Sequence, residues 1–520
     1  MVSDSTVRYP LDMRPSAQSG RGDLDDQLVA HDFWTDQMLG EAGIPVVDVP
    51  FVTVGGGIGS FVTVDHLRIC GVQTGGIRVL TPLRTPWESY EYLTRVSQVP
   101  RGERLRSDSA STPDNIWGFP SYAVREAWTD RSLKPLWSVL TEPIFSDYYT
   151  PRAGQAFESM ERELRRVRYS EMVVSGQVRM VRRRAGGGYF TLLTPPKGST
   201  ATRRVAYRSR WVHIAVGYPG LKFLDDLQQY RSEHNDYGGV VNAYEPHEHV
   251  YARLHARPGT VLLRGGGIVA SRVLQRLIDD RDALGLQTRI VHLFRSYTDR
   301  PHGAGLFKRR KGGDGWAYQG FNYPKSVWGG QLKAQVRASE GEERARLYKE
   351  MGGTNTPIRR NWQEQLSRGR AQGWYQVMVG QIERLRPVGE LVEVTASTDQ
   401  GPQVGTVDAV IDCTGLEADI REHRVLADLL DHSGAGRNPV GRLDVGRDFE
   451  IRGTRSGDGK LYASGSATLG GYFPGVDTFL GLQIAAQEIA DDLARQGFCA
   501  PLGPGRSISQ WWKWARGTPI

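Results

Sequence analysis

Apolar residues in this chain come in short blocks that stop at glycine. The run VVDVPFVTV, residues 46–54, is almost wholly β-prone and ends in Gly55-Gly56-Gly57. It predicts a buried strand. The residues after it, SFVTVDHLRICG at 60–71, predict a helix despite their β-branched side chains, because packing overrides a weak propensity. GIRVL at 76–80 predicts the next strand. Strand, glycine-rich turn, helix and strand within about 30 residues make a βαβ unit. The pattern returns at 259–264, where GTVLLR runs into GGGIVAS at 265–271. A helix with Val273, Leu274, Leu277 and Ile278 on one face follows, and then the strand TRIVHLF.

Between the two units the period changes. AFESMERELRRVR predicts a helix with charge pairs four residues apart. SEMVVSGQVRMVRRR, GYFTLLT and RRVAYRSRWVHIAVG alternate as antiparallel strands of a meander, and the cluster Arg182–Arg184 reads as a solvated edge strand or turn. Residues 303–375 are rich in Gly, Trp, Tyr and charge, with one clear element, a helix near 339–350. From 391, LVEVTAS, TVDAVIDCTG and LYASGSATLGGYFPGVDTFLGLQIAAQEIADDLAR add strands and a closing helix. Residues 1–45 read as a polar extension, and 501–520 as a tail whose tryptophans need a packing partner.

At 520 residues the chain has room for two to four domains of roughly 100–200 residues each. Its net charge of +8 and pI near 9.3 suit phosphate-bearing ligands, and no nucleic-acid motif accompanies them. Three cysteines, Cys70, Cys413 and Cys499, stand far apart, which argues against a disulfide scaffold, a structural zinc site and a CxxC redox pair. Alternate histidines in His247-Glu248-His249 would share a strand face, but no third ligand is identifiable, so no metal is expected. With no signal pattern and no apolar stretch of about 18 residues, a cytoplasmic protein that does not enter a membrane is expected.

The candidate chemistry lies in the two glycine turns. A pyrophosphate needs backbone N–H groups at a helix N-terminus and no side chain blocking its approach. Gly55, Gly57, Gly59 and Ser60 supply this in the first unit, and Gly265, Gly267, Ala270 and Ser271 in the second. The second strand of each unit sets the ligand, since a carboxylate there accepts ribose hydroxyls and a cation takes a 2′-phosphate. TRIVHLF ends in Arg295-Ser296 with no acid before Asp299, which favours NADPH; Arg272 on the helix is a further phosphate contact. In the first unit Leu80-Thr81-Pro82 stands where an acid is expected, leaving the role to Thr81 or Arg84.

The order of these motifs resembles the class B flavoprotein monooxygenases, the flavin-containing and N-hydroxylating enzymes. In sequence they are GGGIGS at 55–60, HIAVGYPG at 213–220, GGGIVAS at 265–271, VIDCTG at 410–415 and LYASGSATLGGYFPGVDTFLGLQIAAQEI at 461–489. RLRSDSAST at 104–112, with Arg106, is similar to the stretch near the isoalloxazine. The likeness implies an α/β fold with two Rossmann-like dinucleotide-binding domains, the NADPH domain inserted into the FAD domain, and an antiparallel β meander. The expected division is an extension at 1–45, FAD domain at 46–235, NADPH domain with a substrate-region insertion at 236–395, FAD domain again at 396–500, and tail at 501–520. It also places Gly217 and Gly415 at crossings between the domains, and Gly465, Ser466, Thr478 and Phe479 against the flavin. Asn322 and Asn355 are the amides that would orient NADP⁺ and substrate.

The activity so implied is FAD- and NADPH-dependent monooxygenation of a small molecule. A C4a-hydroperoxyflavin formed from O2 would pass one oxygen atom to an amine nitrogen, in specialised metabolism. A homo-oligomer stays open. The pattern FxGxxxHxxxW of ring-expanding ketone oxygenases is not matched, since Ala243 stands where its histidine would be. Two alternatives remain: an NADPH-dependent flavin reductase or dehydrogenase, and a flavoprotein-like binding or scaffold protein that has lost FAD.

Overall fold

Pro50 divides the first apolar run. A proline has no N–H to give to a ladder, and in the computed structural model the strands on either side of it enter different sheets. The structure describes residues 22–105, 112–142, 149–196, 204–300, 312–318, 330–351 and 360–520. Val46–Asp48 pairs with Val205–Ser209, whereas Phe51–Val54 lies between Ile77–Thr81 and Trp211–Ile214. All four residues of Phe51–Val54 are buried, as expected of a central parallel strand covered on both faces.

The first parallel sheet has the order Lys460–Ala463, Trp211–Ile214, Phe51–Val54, Ile77–Thr81, Val173–Ser175. Numbered along the chain, this is 5-4-1-2-3, one half of a doubly wound fold. The helix Ile58–Ile69 crosses from the first strand to the second, and every residue in it except Gly59 is buried. It packs along the closing helix Phe479–Arg495 in a core that includes Phe61, Val64, Leu67, Leu482, Ala486 and Ile489. Burial on all sides explains how a helix holds so many β-branched residues.

The second sheet runs Val240–Asn242, Ala409–Asp412, Thr260–Arg264, Arg289–Phe294, Tyr375–Val388, and ends in an antiparallel pair, Leu391–Thr398 and Gly401–Val407. The helix Ile268–Leu284 is its crossover. The 395/396 division drawn from the sequence therefore falls inside the strand Leu391–Thr398.

The third sheet contains the meander, Gln177–Arg184, Tyr189–Thr194 and Val205–Ser209, which is antiparallel as expected. Its neighbours in sequence depart from the pattern: Val173–Ser175 and Trp211–Ile214 join the first sheet in parallel. Phe33–Trp34 and Val46–Asp48 take the meander's edges instead. Part of the 1–45 extension is thus built into the fold, with Leu28, Trp34, Leu39 and Ile44 packed on Met180, Phe190 and Leu192.

The arginine cluster is not a solvated edge. Strand Gln177–Arg184 has a neighbour on each side, and the Arg182 side chain is fully buried. Its guanidinium forms a bidentate pair with Asp428, one bond being 2.9 Å, and also donates to the carbonyls of Val29 and His31. Cys70 and Cys499, remote in sequence, share one core cluster, where the Cys499 thiol donates to the Ala490 carbonyl at 3.5 Å and the Ala500 amide to the Cys70 carbonyl at 3.1 Å. The C-terminal tail forms a helix, Pro504–Ala515, with Trp511 and Trp514 edge-on to Phe119. Among the described residues no helix is long and apolar enough to cross a membrane.

Asp428→Ala would strand the Arg182 charge in the interior and should cost about 3–5 kcal/mol in urea denaturation. Replacing both partners with Met and Leu should recover most of that loss.

Candidate functional site

Each glycine turn sits where its parallel sheet reverses strand order, the place at which such sheets bind ligands. On one side of the first turn lies Ile77–Thr81, on the other Trp211–Ile214. Gly55 has φ +90°, and a Cβ on it would stand 2.5 Å from the carbonyl oxygen of Ala215. In the second turn Gly265 has φ +127°, and a Cβ would stand 2.9 Å from the carbonyl oxygen of Cys413. The small-residue strand ends at 215 and 413 thus press on the first glycine of each turn, and only glycine fits.

The other positions differ in what surrounds them. A Cβ on Gly57 or Gly267, the residues that cap the two helices, would meet nothing within 4 Å. The space that a pyrophosphate needs is open there. A Cβ on Gly59 would stand 3.2 and 3.3 Å from Ser464 and Leu482 of the closing segment, so its small size lets helix and closing turn pack. Thr81 lies against Gly56, and its hydroxyl accepts the Leu83 amide at 3.1 Å. Ala270 and Ser271 are fully buried, and Ser271 Oγ donates to the Ile268 carbonyl.

Three buried side chains that sequence reasoning passed over, Thr53, His213 and Ser464, join Ser60 in supporting the first turn. Ser60 Oγ donates to the Gly55 carbonyl and lies 2.7 Å from Thr53 Oγ1. Thr53 in turn is 3.2 Å from His213 Nδ1, and His213 Nε2 is 2.9 Å from Ser464 Oγ. In the second turn His292 Nε2 donates to the Gly265 carbonyl at 2.6 Å, and its Nδ1 accepts from the Tyr375 hydroxyl at 3.0 Å. Burial pushes His213 down to about 3 and His292 to about 4, so both rings are neutral at ordinary pH. The only sequence signal was a polar residue inside an apolar strand.

Gly217 and Gly415 follow the two crossings with φ +73° and +114°, in open surroundings. The crossings are paired: Leu221 bridges Leu416, and the Glu417 amide donates to the Gly220 carbonyl at 2.9 Å. In the closing segment Gly465 has φ +77°. The buried Ser466 hydroxyl has no hydrogen-bond partner among the described residues. Thr478 caps the closing helix by accepting the Gly481 amide at 3.2 Å. Phe479 packs into the core, its ring 5.3 Å from that of Tyr90.

Arg295 and Ser296 are exposed at the end of the strand Arg289–Phe294. Arg272 is buried and already engaged, with Glu103 at 3.2 Å and the Gln98 carbonyl at 3.3 Å. It ties the second unit to a segment of the first. Arg106, Asn322 and Asn355 lie outside the described residues. His247 and His249 stand at the start of a helix, Glu248–Ala256, rather than on a strand. The His247 ring is occupied by the Glu245 carbonyl and the Tyr251 hydroxyl. Among the described residues no group of three His, Cys, Asp or Glu side chains could hold a metal.

Open space at Gly57 and Gly267, two helix starts whose first amides have no partner within the helix, and a Ser466 hydroxyl unpartnered among the described residues fit two dinucleotides. No protein-family model and no curated protein matches the sequence. Solved structures do match. Ornithine N-hydroxylase from Kutzneria sp. 744, solved with reduced FAD, NADP⁺ and L-ornithine, is 14% identical. The match covers 87% of this chain and 100% of that one, with a TM-score of 0.62. The cadaverine monooxygenase of the desferrioxamine pathway from Erwinia amylovora is 10% identical over 88% and 96% of the two chains, TM-score 0.61. Ornithine hydroxylase from Pseudomonas aeruginosa is 16% identical over 86% and 99%, TM-score 0.59. The fold is that of the class B flavin monooxygenases. At these identities the likeness is one of fold.

The two glycines of the first turn should respond differently to substitution. Gly55→Ala should destabilise the protein, because its Cβ collides with backbone. Gly57→Ala should melt within a few degrees of the wild type, and if a pyrophosphate docks there its methyl would fill the space and weaken FAD uptake at least about tenfold. Thermal melts and FAD titration of flavin-stripped protein check both.

Proposed function

We propose that this chain is an FAD- and NADPH-dependent monooxygenase that hydroxylates the amine nitrogen of a small molecule. The observation that carries the reading is the pair of glycine turns, each at the switch point of its own parallel sheet. They occur in a fold shared over 86–88% of the chain with three N-hydroxylating or amine-oxygenating enzymes. Those enzymes are named for ornithine and cadaverine, which end in primary amines. An aliphatic primary amine is therefore the substrate class to try first.

FAD, when bound, would supply the hydride-accepting and oxygen-activating chemistry, and the protein supplies orientation and a dry pocket. The free amides after Gly57 would hold its pyrophosphate at the positive end of the helix Ile58–Ile69. Ser466 would offer its hydroxyl where an acid is usual in the family, and Thr81 stands where a ribose-binding acid is usual. The start of the closing helix, capped by Thr478, presents the amides of Phe479 and Leu480. In the second domain the turn at Gly265–Gly267 would hold the NADPH pyrophosphate. Arg295 and Ser296, exposed past the neighbouring strand, would receive the 2′-phosphate. The buried Arg272 would act between the domains, through Glu103, holding the nicotinamide side in line with the flavin side.

Purified protein reconstituted with FAD should bleach on anaerobic addition of NADPH, and with oxygen and a diamine should form a hydroxylamine. Bleaching without any hydroxylamine across a panel of primary amines would favour the reductase alternative. Protein that takes up no FAD would favour the scaffold alternative. Arg295→Ala should raise KM for NADPH roughly 10–100-fold, the worth of a charge-assisted hydrogen bond, while KM for NADH barely moves. Equal effects on the two would remove Arg295 from the 2′-phosphate site.

A further inference from the structure

We propose that His213 is a positioning residue for the first dinucleotide turn, acting on the Gly55–Gly56 peptide through Thr53 and Ser60 and tying it to Ser464. The inference rests on the reading of that turn as the FAD pyrophosphate site.

The direction of every bond in the relay follows from its end. A carbonyl only accepts, so Ser60 spends its single hydroxyl hydrogen on Gly55. Ser60 Oγ must then accept from Thr53, 2.7 Å away. Thr53, having given its hydrogen, accepts from His213 Nδ1–H at 3.2 Å. A neutral imidazole carries one N–H, so Nε2 accepts from the Ser464 hydroxyl at 2.9 Å. Thr53, Ser60 and His213 are fully buried and Ser464 nearly so, and each link is a direct side-chain contact away from bulk solvent. It runs one way across three adjacent strands, from the closing segment to the glycine turn.

In a trans peptide the C=O and the following N–H point in opposite directions. Holding the Gly55 carbonyl toward Ser60 in the core therefore aims the Gly56 N–H outward, on the side a phosphate approaches. The second turn repeats the device with other residues. There His292, itself set by Tyr375, donates to the carbonyl of Gly265, the equivalent first glycine. Two turns that pin this carbonyl from the core side with different side chains point to the peptide plane as the thing controlled.

The relay can be cut without changing shape by Thr53→Val, and at the ring by His213→Leu. FAD affinity of flavin-stripped protein, NADP⁺ affinity and amide hydrogen exchange over residues 55–60 are the readouts, with Ser60→Ala and the Ser60→Ala/Thr53→Val double variant completing a cycle. Either single cut should weaken FAD binding about tenfold, the worth of one hydrogen bond, and speed exchange at 55–60. NADP⁺ affinity should hold, and the double variant should be no weaker than Ser60→Ala alone. Folded Thr53→Val protein with wild-type FAD affinity and exchange would overturn the proposal. So would additive losses, or an equal loss for NADP⁺, which mark simple destabilisation. If wild-type protein takes up no FAD, the proposed function fails; exchange at 55–60 still decides whether the relay orders the turn.

Discussion

The architecture depends on a close approach that happens twice. At the switch point of each parallel sheet, the carbonyl at the end of one strand presses on the first glycine of the turn leaving its neighbour. Ala215 does this to Gly55 and Cys413 to Gly265. A Cβ at either glycine would push the strands apart, and with them the helix start whose amides face the open space at Gly57 or Gly267. The same strand ends release the chain toward the other domain. The peptide that demands glycine thus also begins the crossing, and the two crossings then pair through Leu221 and Leu416. Nucleotide turn and domain connection are one mechanical unit.

Part of the charge in this chain lies inside the fold. The basic excess suggested phosphate-bearing partners, yet several arginines are buried in ion pairs. Arg182 is held by Asp428 beneath the meander. Arg264, directly before the second turn, reaches Asp412 at 2.9 Å and also Asp226. Arg272 reaches from the second unit to Glu103 of the first. Guanidinium suits such roles because its planar fork satisfies two acceptors at once. Arg295 differs from all three in being exposed, with no ion-pair partner among the described residues.

Both βαβ units were legible from apolar blocks ending in glycine, since burial of a parallel strand and passage of a turn without Cβ leave local marks. The helix at Ile58–Ile69 was legible only against its propensity, and its burial on all sides accounts for that. The strand run 46–54 misled because a proline within it lets one apolar stretch serve two sheets. The meander misled at its ends because alternation describes one face's burial and does not name the neighbour. Arg182 looked like surface because its partner, Asp428, lies 246 residues away.

By itself the sequence determined the number of dinucleotide turns, their order, and the elements around them, because each depends on contacts within about thirty residues. Tertiary structure alone decided what holds those turns in shape. Thr53 and His213 sit on two strands and Ser464 one residue past a third, spread over more than 400 residues, and nothing in their local sequence marks them as partners. Only when parallel pairing sets the three strands side by side do their side chains come within hydrogen-bond reach. A relay of that kind is a property of register, and register between distant strands is settled by the packed core.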